Sequence, residues 1–344
     1  MVKHMLKYKN EEGRMKKIFL AFFLIVVATA GFAGGGTEKA VEIKLGHYSA
    51  ESHPMHLAAV QFAENVARRS NGTVTVVIFP NSKLGNSQEM VEQTVLGAID
   101  LVLPTEPALA KWSPKVNLVT GPFAFKDYDA VDRFFAGDGF VNWIKPDLDK
   151  AGLKYIARWE YGFRTYTNSK RPINTPEDFK GLKIRTPPDF VNQETVKALG
   201  GVVQTIAFTE LPMALKQGVV DGQENPIATI YAGKMWETQK YLSILNYTYV
   251  ATHLIMNKAK FESLSPGQQN ILVEEGEKAG KYMQKLIREG EKAQIEEIKK
   301  NGMEVNYPDT TPFQAATASV WDTLKSQVSA EDWKTFQDLL SKSR

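Results

Sequence analysis

Two arginines have the type and setting for recognition chemistry. Arg185 closes the apolar segment 182–185 and stands two residues before Pro187-Pro188, so the sequence predicts it at the carboxyl end of a strand. Open α/β sheets hold their ligands at that edge. Arg164 opens a second predicted strand after Gly162, where a residue without a Cβ lets backbone approach closely. A guanidinium is a planar fork of donors that takes a carboxylate through two parallel, charge-assisted hydrogen bonds. Two such forks converging on a cleft would suit an organic acid. Arginine is mostly a surface residue, so residue type alone leaves a surface salt-bridge role open for each.

Other chemistries find little support. The chain contains no Gly-Xaa-Ser-Xaa-Gly nucleophile elbow, no Gly-Xaa4-Gly-Lys-Ser/Thr phosphate loop and no His-Glu-Xaa-Xaa-His zinc helix. His53 and His56 lie three apart at a predicted helix start. No third ligand follows at a spacing typical of zinc sites, so two polar residues at a helix terminus are expected rather than a metal. The chain has no cysteine, which excludes a disulfide scaffold, a thiolate site and a cysteine-borne lipid anchor. No nucleophile, base or cofactor signature supports an enzyme, and no cofactor is expected.

The elements that must position the arginines alternate along the chain. Strands are expected at 41–46, 73–79 and 99–103, with helices at 55–69 and 87–96 between them, a βαβαβ pattern that predicts a parallel α/β domain. A second α/β set follows, with strands at 155–159, 165–167, 182–185 and 202–206. Helices are expected at 191–199 and 210–217, with a short one from Pro176 capped by Thr175. Ser265-Pro266-Gly267-Gln268 is a capping box opening a helix of more than 30 residues, ended by Asn301-Gly302. Such a helix is long enough to run across two lobes. Thr311 and Ser329 start two more.

Residues 1–33 read as a secretory signal peptide: Lys16-Lys17, an uncharged run 18–30, then small residues, with cleavage expected after Ala30 or Ala33 and Met15 as the natural start. The run is short for a membrane-spanning helix, which needs about 20 apolar residues. The first 33 residues hold six of the 42 Lys/Arg and two of the 39 Asp/Glu, which leaves 36 basic and 37 acidic side chains and a net charge of −1. A near-neutral remainder lacks the field of a nucleic-acid binder. Signal and absent lipid site together suggest a periplasmic protein.

The stretch from Trp159 to Tyr241 carries the most specific motifs. It holds Trp159-Glu160-Tyr161-Gly162-Phe163-Arg164, then Asp178 to Arg185, Phe208-Thr209-Glu210-Leu211, and Gly218-Val219-Val220-Asp221-Gly222-Gln223-Glu224-Asn225-Pro226. With Asn81 to Gly85, Leu96 to Asp100 and the long late helix, this order resembles the solute-binding P subunits of tripartite ATP-independent periplasmic (TRAP) transporters, the DctP family. The resemblance covers essentially all of the chain after the leader.

It implies a two-lobed α/β periplasmic binding fold with a hinge and a long helix near the C-terminal third. The first lobe would take residues 41–161 and 251–290, the second 162–250 and 291–344. Arg185 matches the arginine that salt-bridges the solute carboxylate, Arg164 a second arginine that assists, Asn225 an asparagine that hydrogen-bonds the same carboxylate, and Phe208 an aromatic that packs on the solute. Thr105, with Glu106 beside it, stands about where the sialic-acid-binding branch has a carboxylate, and Ser87 near another acidic position. An acid other than sialic acid is therefore expected: a C4-dicarboxylate, a sugar acid such as a uronate, or a hydroxy or keto acid. Tyr48, Thr105 and Glu106 are the candidate first-lobe contacts. The resemblance further implies delivery to a small and a large integral membrane subunit; a monomer is expected. An ABC-type binding protein, a secreted enzyme and a sensory module stand as alternatives.

Overall fold

The computed structural model describes residues 40–343; the leader lies outside them. Val41–Gly46 (β1) and Val74–Phe79 (β2) are joined by the helix Pro54–Arg69, whose buried Met55, Ala58, Ala59, Phe62 and Val66 make one apolar stripe. That crossover leaves β1 and β2 parallel, and Leu101–Val102 (β3) lies parallel on the other edge of β1. The expected parallel start is present, with β3 shorter than 99–103.

The rest of the sheet comprises β4 (Leu153–Asn168), β5 (Lys183–Thr186), β6 (Val202–Thr205), β7 (Gly222–Pro226), β8 (Tyr241–Asn257) and β9 (Glu304–Asn306). Its order is β2-β1-β3-β8-β4-β7-β5-β6, with β9 on β8. Two departures from expectation matter. The segments 155–159 and 165–167 belong to one 16-residue strand. Residues 241–257, where the sequence predicts no element, form a strand of 17 residues.

These two long strands pair antiparallel and serve both halves of the sheet. Their register slips at Tyr155/Ala157, Glu160/Gly162 and Arg164/Tyr166. Extra residues of this kind bend and twist a sheet. The first lobe gathers around a core that includes Ile43, Phe62, Leu101, Trp159 and Leu254. The second has a core on each sheet face, one around Leu215, Ile230 and Leu242, the other around Tyr166, Phe179 and Tyr247.

Gly162, at the middle slip, has φ +113°, a conformation that L side chains rarely adopt. A Cβ there would meet Pro226, Tyr128 and Ile287 at 3.5–3.6 Å, ordinary contacts. Gly162→Ala should therefore cost about 1–3 kcal/mol through the backbone alone. A lower urea midpoint at unchanged slope is expected; an unchanged midpoint would show that the strand does not need the glycine.

The helix Pro266–Lys300 starts with the expected box, Gln268 N–H donating to Ser265 Oγ (3.3 Å) and Ser265 N–H to Gln268 Oε1 (3.1 Å). Its glycines let it lie hard against β4: Trp159 Nε1–H donates to the Gly276 carbonyl (2.8 Å), and a Cβ on Gly280 would stand 2.4 Å from the Arg158 carbonyl oxygen. Its last turns bury Ile295 and Ile298 in the second lobe. One helix is thus seated on both lobes.

The C-terminal helix has its own contacts. Phe336 and Leu339 of the helix Ala330–Ser341 join the first-lobe core, Trp143 Nε1–H donates to Asp332 (2.8 Å), and Arg133 donates to the Ser343 carbonyl (2.8 and 3.1 Å). Residues 330–343 therefore pack against Arg133, Trp143 and their neighbours, where their apolar stripe finds its complement.

Candidate ligand cleft between the lobes

Arg185 is the third of the four residues of β5, at the carboxyl end foreseen for it. The strand stops because Pro187 and Pro188 cannot donate to a ladder. Its side chain is 1% exposed. Nε–H donates to the Ile206 carbonyl (2.8 Å), Cζ lies 5.8 Å from the Phe208 ring centre, and Nη2 has no hydrogen-bond partner among the described residues. Burial pulls its pKa down to about 10; Glu224 works in the opposite direction without offsetting it. A buried guanidinium with a spare donor is set to receive an anion.

Arg164 sits inside β4 rather than at a strand start. Its Nε–H and Nη2–H form a fork on the Glu224 carboxylate, the latter at 2.9 Å from Oε1, and Nη2 also donates to the Glu224 carbonyl (2.8 Å). β4 and β7 pair Tyr166 with Glu224 and Arg164 with Pro226, which brings the two side chains together. Tyr247 Oη–H donates to Glu224 as well (2.9 Å). Burial acts to lower the Arg164 pKa, but the Glu224 charge and hydrogen bonds prevail and hold it well above its ordinary value. Glu224 is absent from the residues expected from sequence. Its signal is β7 itself, a fully buried strand with the composition Gly-Gln-Glu-Asn-Pro, since a buried carboxylate requires a partner.

The remaining candidates divide. Asn225 is 2% exposed, and its Nδ2 donates to Gln223. Tyr48 and Phe208, from different lobes, meet edge to face at 5.9 Å, and Tyr161 approaches Tyr48 at 5.8 Å. Thr105 is the N-cap residue of the helix Glu106–Leu109 and faces the same cleft. Glu106 does not. Its oxygens accept the Ala251 N–H (3.0 and 3.1 Å) and contact His253 Nε2 (3.1 Å), tying the short helix to β8. Glu106, the first residue of that helix, is thus held against β8 rather than lining the cleft.

The cleft draws walls from both lobes and holds a cavity of about 110 Å³. Its walls include polar residues that sequence did not single out, namely Ser82, Asn86 and Gln88 from the first lobe and Asp189 and Asn192 from the second. Asn86 and Asp189 are N-caps, of the helices Ser87–Val95 and Phe190–Ala198, so a cap pattern following a strand end was their signal.

His53 and His56 do not converge. His53 Nδ1 accepts the Met55 N–H (3.0 Å) and its Nε2 faces Thr229 Oγ1 (3.2 Å), while His56 Nδ1 faces His47 Nε2 (3.1 Å). Burial lowers the pKa of His47 and of His53 to about 3. Between pH 6.5 and pH 3 the unfolded chain then binds more protons, so stability falls as pH falls. Each should cost about 2 kcal/mol between pH 7 and pH 5. Asp189, pushed up to about 6 by burial, acts oppositely, returning roughly 1 kcal/mol. Urea unfolding of His53→Gln at both pH values should show a slope smaller by the histidine's share; an identical slope would refute the neutral buried ring.

Residues 45–327 match the family described as bacterial extracellular solute-binding protein, family 7, DctP. The chain belongs to this family. Among family 7 relatives, a 2,3-diketo-L-gulonate-binding periplasmic protein of Escherichia coli K12 is 34% identical over 85% of this chain and 88% of its own. A C4-dicarboxylate-binding periplasmic protein of Rhodobacter capsulatus is 30% identical over 85% and 86%. The structure is similar to that of a TRAP periplasmic solute-binding protein from Roseobacter denitrificans with bound β-D-glucuronate. The TM-score is 0.82 at 26% identity, over 87% of this chain and 99% of that one. These family 7 relatives are binding proteins rather than enzymes. No helix among the described residues is long and apolar enough to cross a membrane.

Proposed function

We propose that this chain is the periplasmic solute-binding subunit of a TRAP transporter and that Arg185 grips the carboxylate of a small organic acid. The observation that carries the grip is a guanidinium 1% exposed, lining the cleft, with Nη2 unpartnered among the described residues. Arg164 keeps Nη1 for the same acid while Glu224 holds the rest of its fork. Asn225 keeps one Nδ2 hydrogen, and Phe208 offers an apolar face. Binding closes the lobes about the β4/β8 slips. Water leaves, and the lower local dielectric strengthens the charge pair. The chain captures and releases without catalysis, acts as a monomer after loss of its leader, and hands its solute to a pair of membrane subunits. The family assignment favours this reading over an ABC-type binding protein.

A thermal-shift panel of organic acids tests it. An acid at 1,000 times its Kd should stabilise the protein by about 4 kcal/mol. A panel in which the neutral alcohol or amide analogues shift the transition and the acids do not would sink the carboxylate grip.

A further inference from the structure

Resting on the Arg185 reading above, we infer that this cleft selects a polyhydroxylated acid with a single carboxylate and rejects dicarboxylates. Among the described residues, three charged side chains line it: Arg164, Arg185 and Asp189. The Arg164 charge is matched by Glu224, which is wholly buried against it. One cation, Arg185, is left for a ligand. Asp189, 6% exposed, has both oxygens on Asn192, from the backbone N–H at 2.9 Å and from Nδ2 at 2.7 Å, and no cation on either among the described residues. A second ligand carboxylate would enter a space with no positive partner and a negative neighbour. Burying an unpaired charge is among the costliest steps in recognition.

The facing wall reinforces this. Ser82, Asn86, Ser87, Gln88 and Thr105 of the first lobe carry hydroxyls and amides and no charge. Ser87 Oγ is buried with no hydrogen-bond partner among the described residues. Hydroxyls and amides both donate and accept, which is what sugar hydroxyls require. The start of the helix Ser87–Val95 would ordinarily favour an anion, but Glu89 already holds that place, its Oε2 accepting the Asn86 N–H at 2.9 Å.

Titration calorimetry with D-galactonate, D-glucuronate, succinate and L-malate tests the selection, using the mature protein and its Arg185→Ala and Ser87→Ala variants. At least one sugar acid should bind 100-fold or more tighter than either dicarboxylate. Ser87→Ala should weaken it roughly tenfold at an unchanged thermal midpoint of the free protein. Succinate or malate within tenfold of the better sugar acid, with binding lost in Arg185→Ala, overturns the selection and leaves the grip standing. Binding indifferent to Arg185→Ala, or no binding of all four acids, overturns the grip and the selection with it.

Discussion

Replacing Arg185 by methionine should abolish tight acid binding and at the same time make the empty protein more stable. Truncating one partner of a buried, hydrogen-bonded charge pair costs 2–5 kcal/mol or more in affinity, so a loss of about 100- to 1,000-fold is expected by titration calorimetry. Arg185→Lys should fall most of the way to the same value, because an ammonium keeps the charge but not the planar fork. The stability arm follows from burial. A pKa pulled from 12.5 to about 10 means that folding disfavours the charged form by about 3 kcal/mol. Methionine removes that cost but leaves the Ile206 carbonyl without its donor, a loss of about 1 kcal/mol. A net gain near 2 kcal/mol in urea unfolding is expected. Unchanged affinity would move the grip elsewhere; a large loss of stability would show that the guanidinium is partnered.

Glu224→Leu should be the most destabilising change in the cleft. Glu224 is wholly buried and meets the Arg164 fork, the Arg164 Nη2 bond to its own carbonyl and the Tyr247 hydroxyl. Its removal strands a buried cation, at about 3–5 kcal/mol. For a chain of this size that is a thermal midpoint lower by about 5–8 °C. The double variant Arg164→Met, Glu224→Leu should recover most of the loss, since an apolar pair of similar volume often matches a buried ion pair. A double-mutant cycle with no coupling would refute the pairing.

Elements with local causes were legible in the sequence. The capping box at Ser265 and the stop at Asn301-Gly302 placed the long helix within a residue of Pro266–Lys300. The Pro187-Pro188 stop put Arg185 at the end of its strand. What escaped depends on distant contacts. β8 is buried on both faces and so lacks the alternation that marks a half-buried strand. The slips at Glu160/Gly162 and Arg164/Tyr166 broke the pattern of β4 into two apparent strands. The Arg164–Glu224 pair joins residues 60 apart in the chain, and only the pairing of β4 with β7 brings them together. Thr105 and Glu106 show the smallest scale of the problem, since the N-cap residue lines the cleft while the first residue of the helix is held by β8.

The long helix offers a built-in ruler. Gly280 is clamped on one lobe and Ile298 on the other, and the helix between them should hold a span of about 27 Å whatever the ligand does. Spin labels placed near these two points should report a constant distance, while labels placed beside Tyr48 and Phe208 should draw together as acid is added. The molecule would then behave like a pair of tongs whose spine keeps its length while its tips meet.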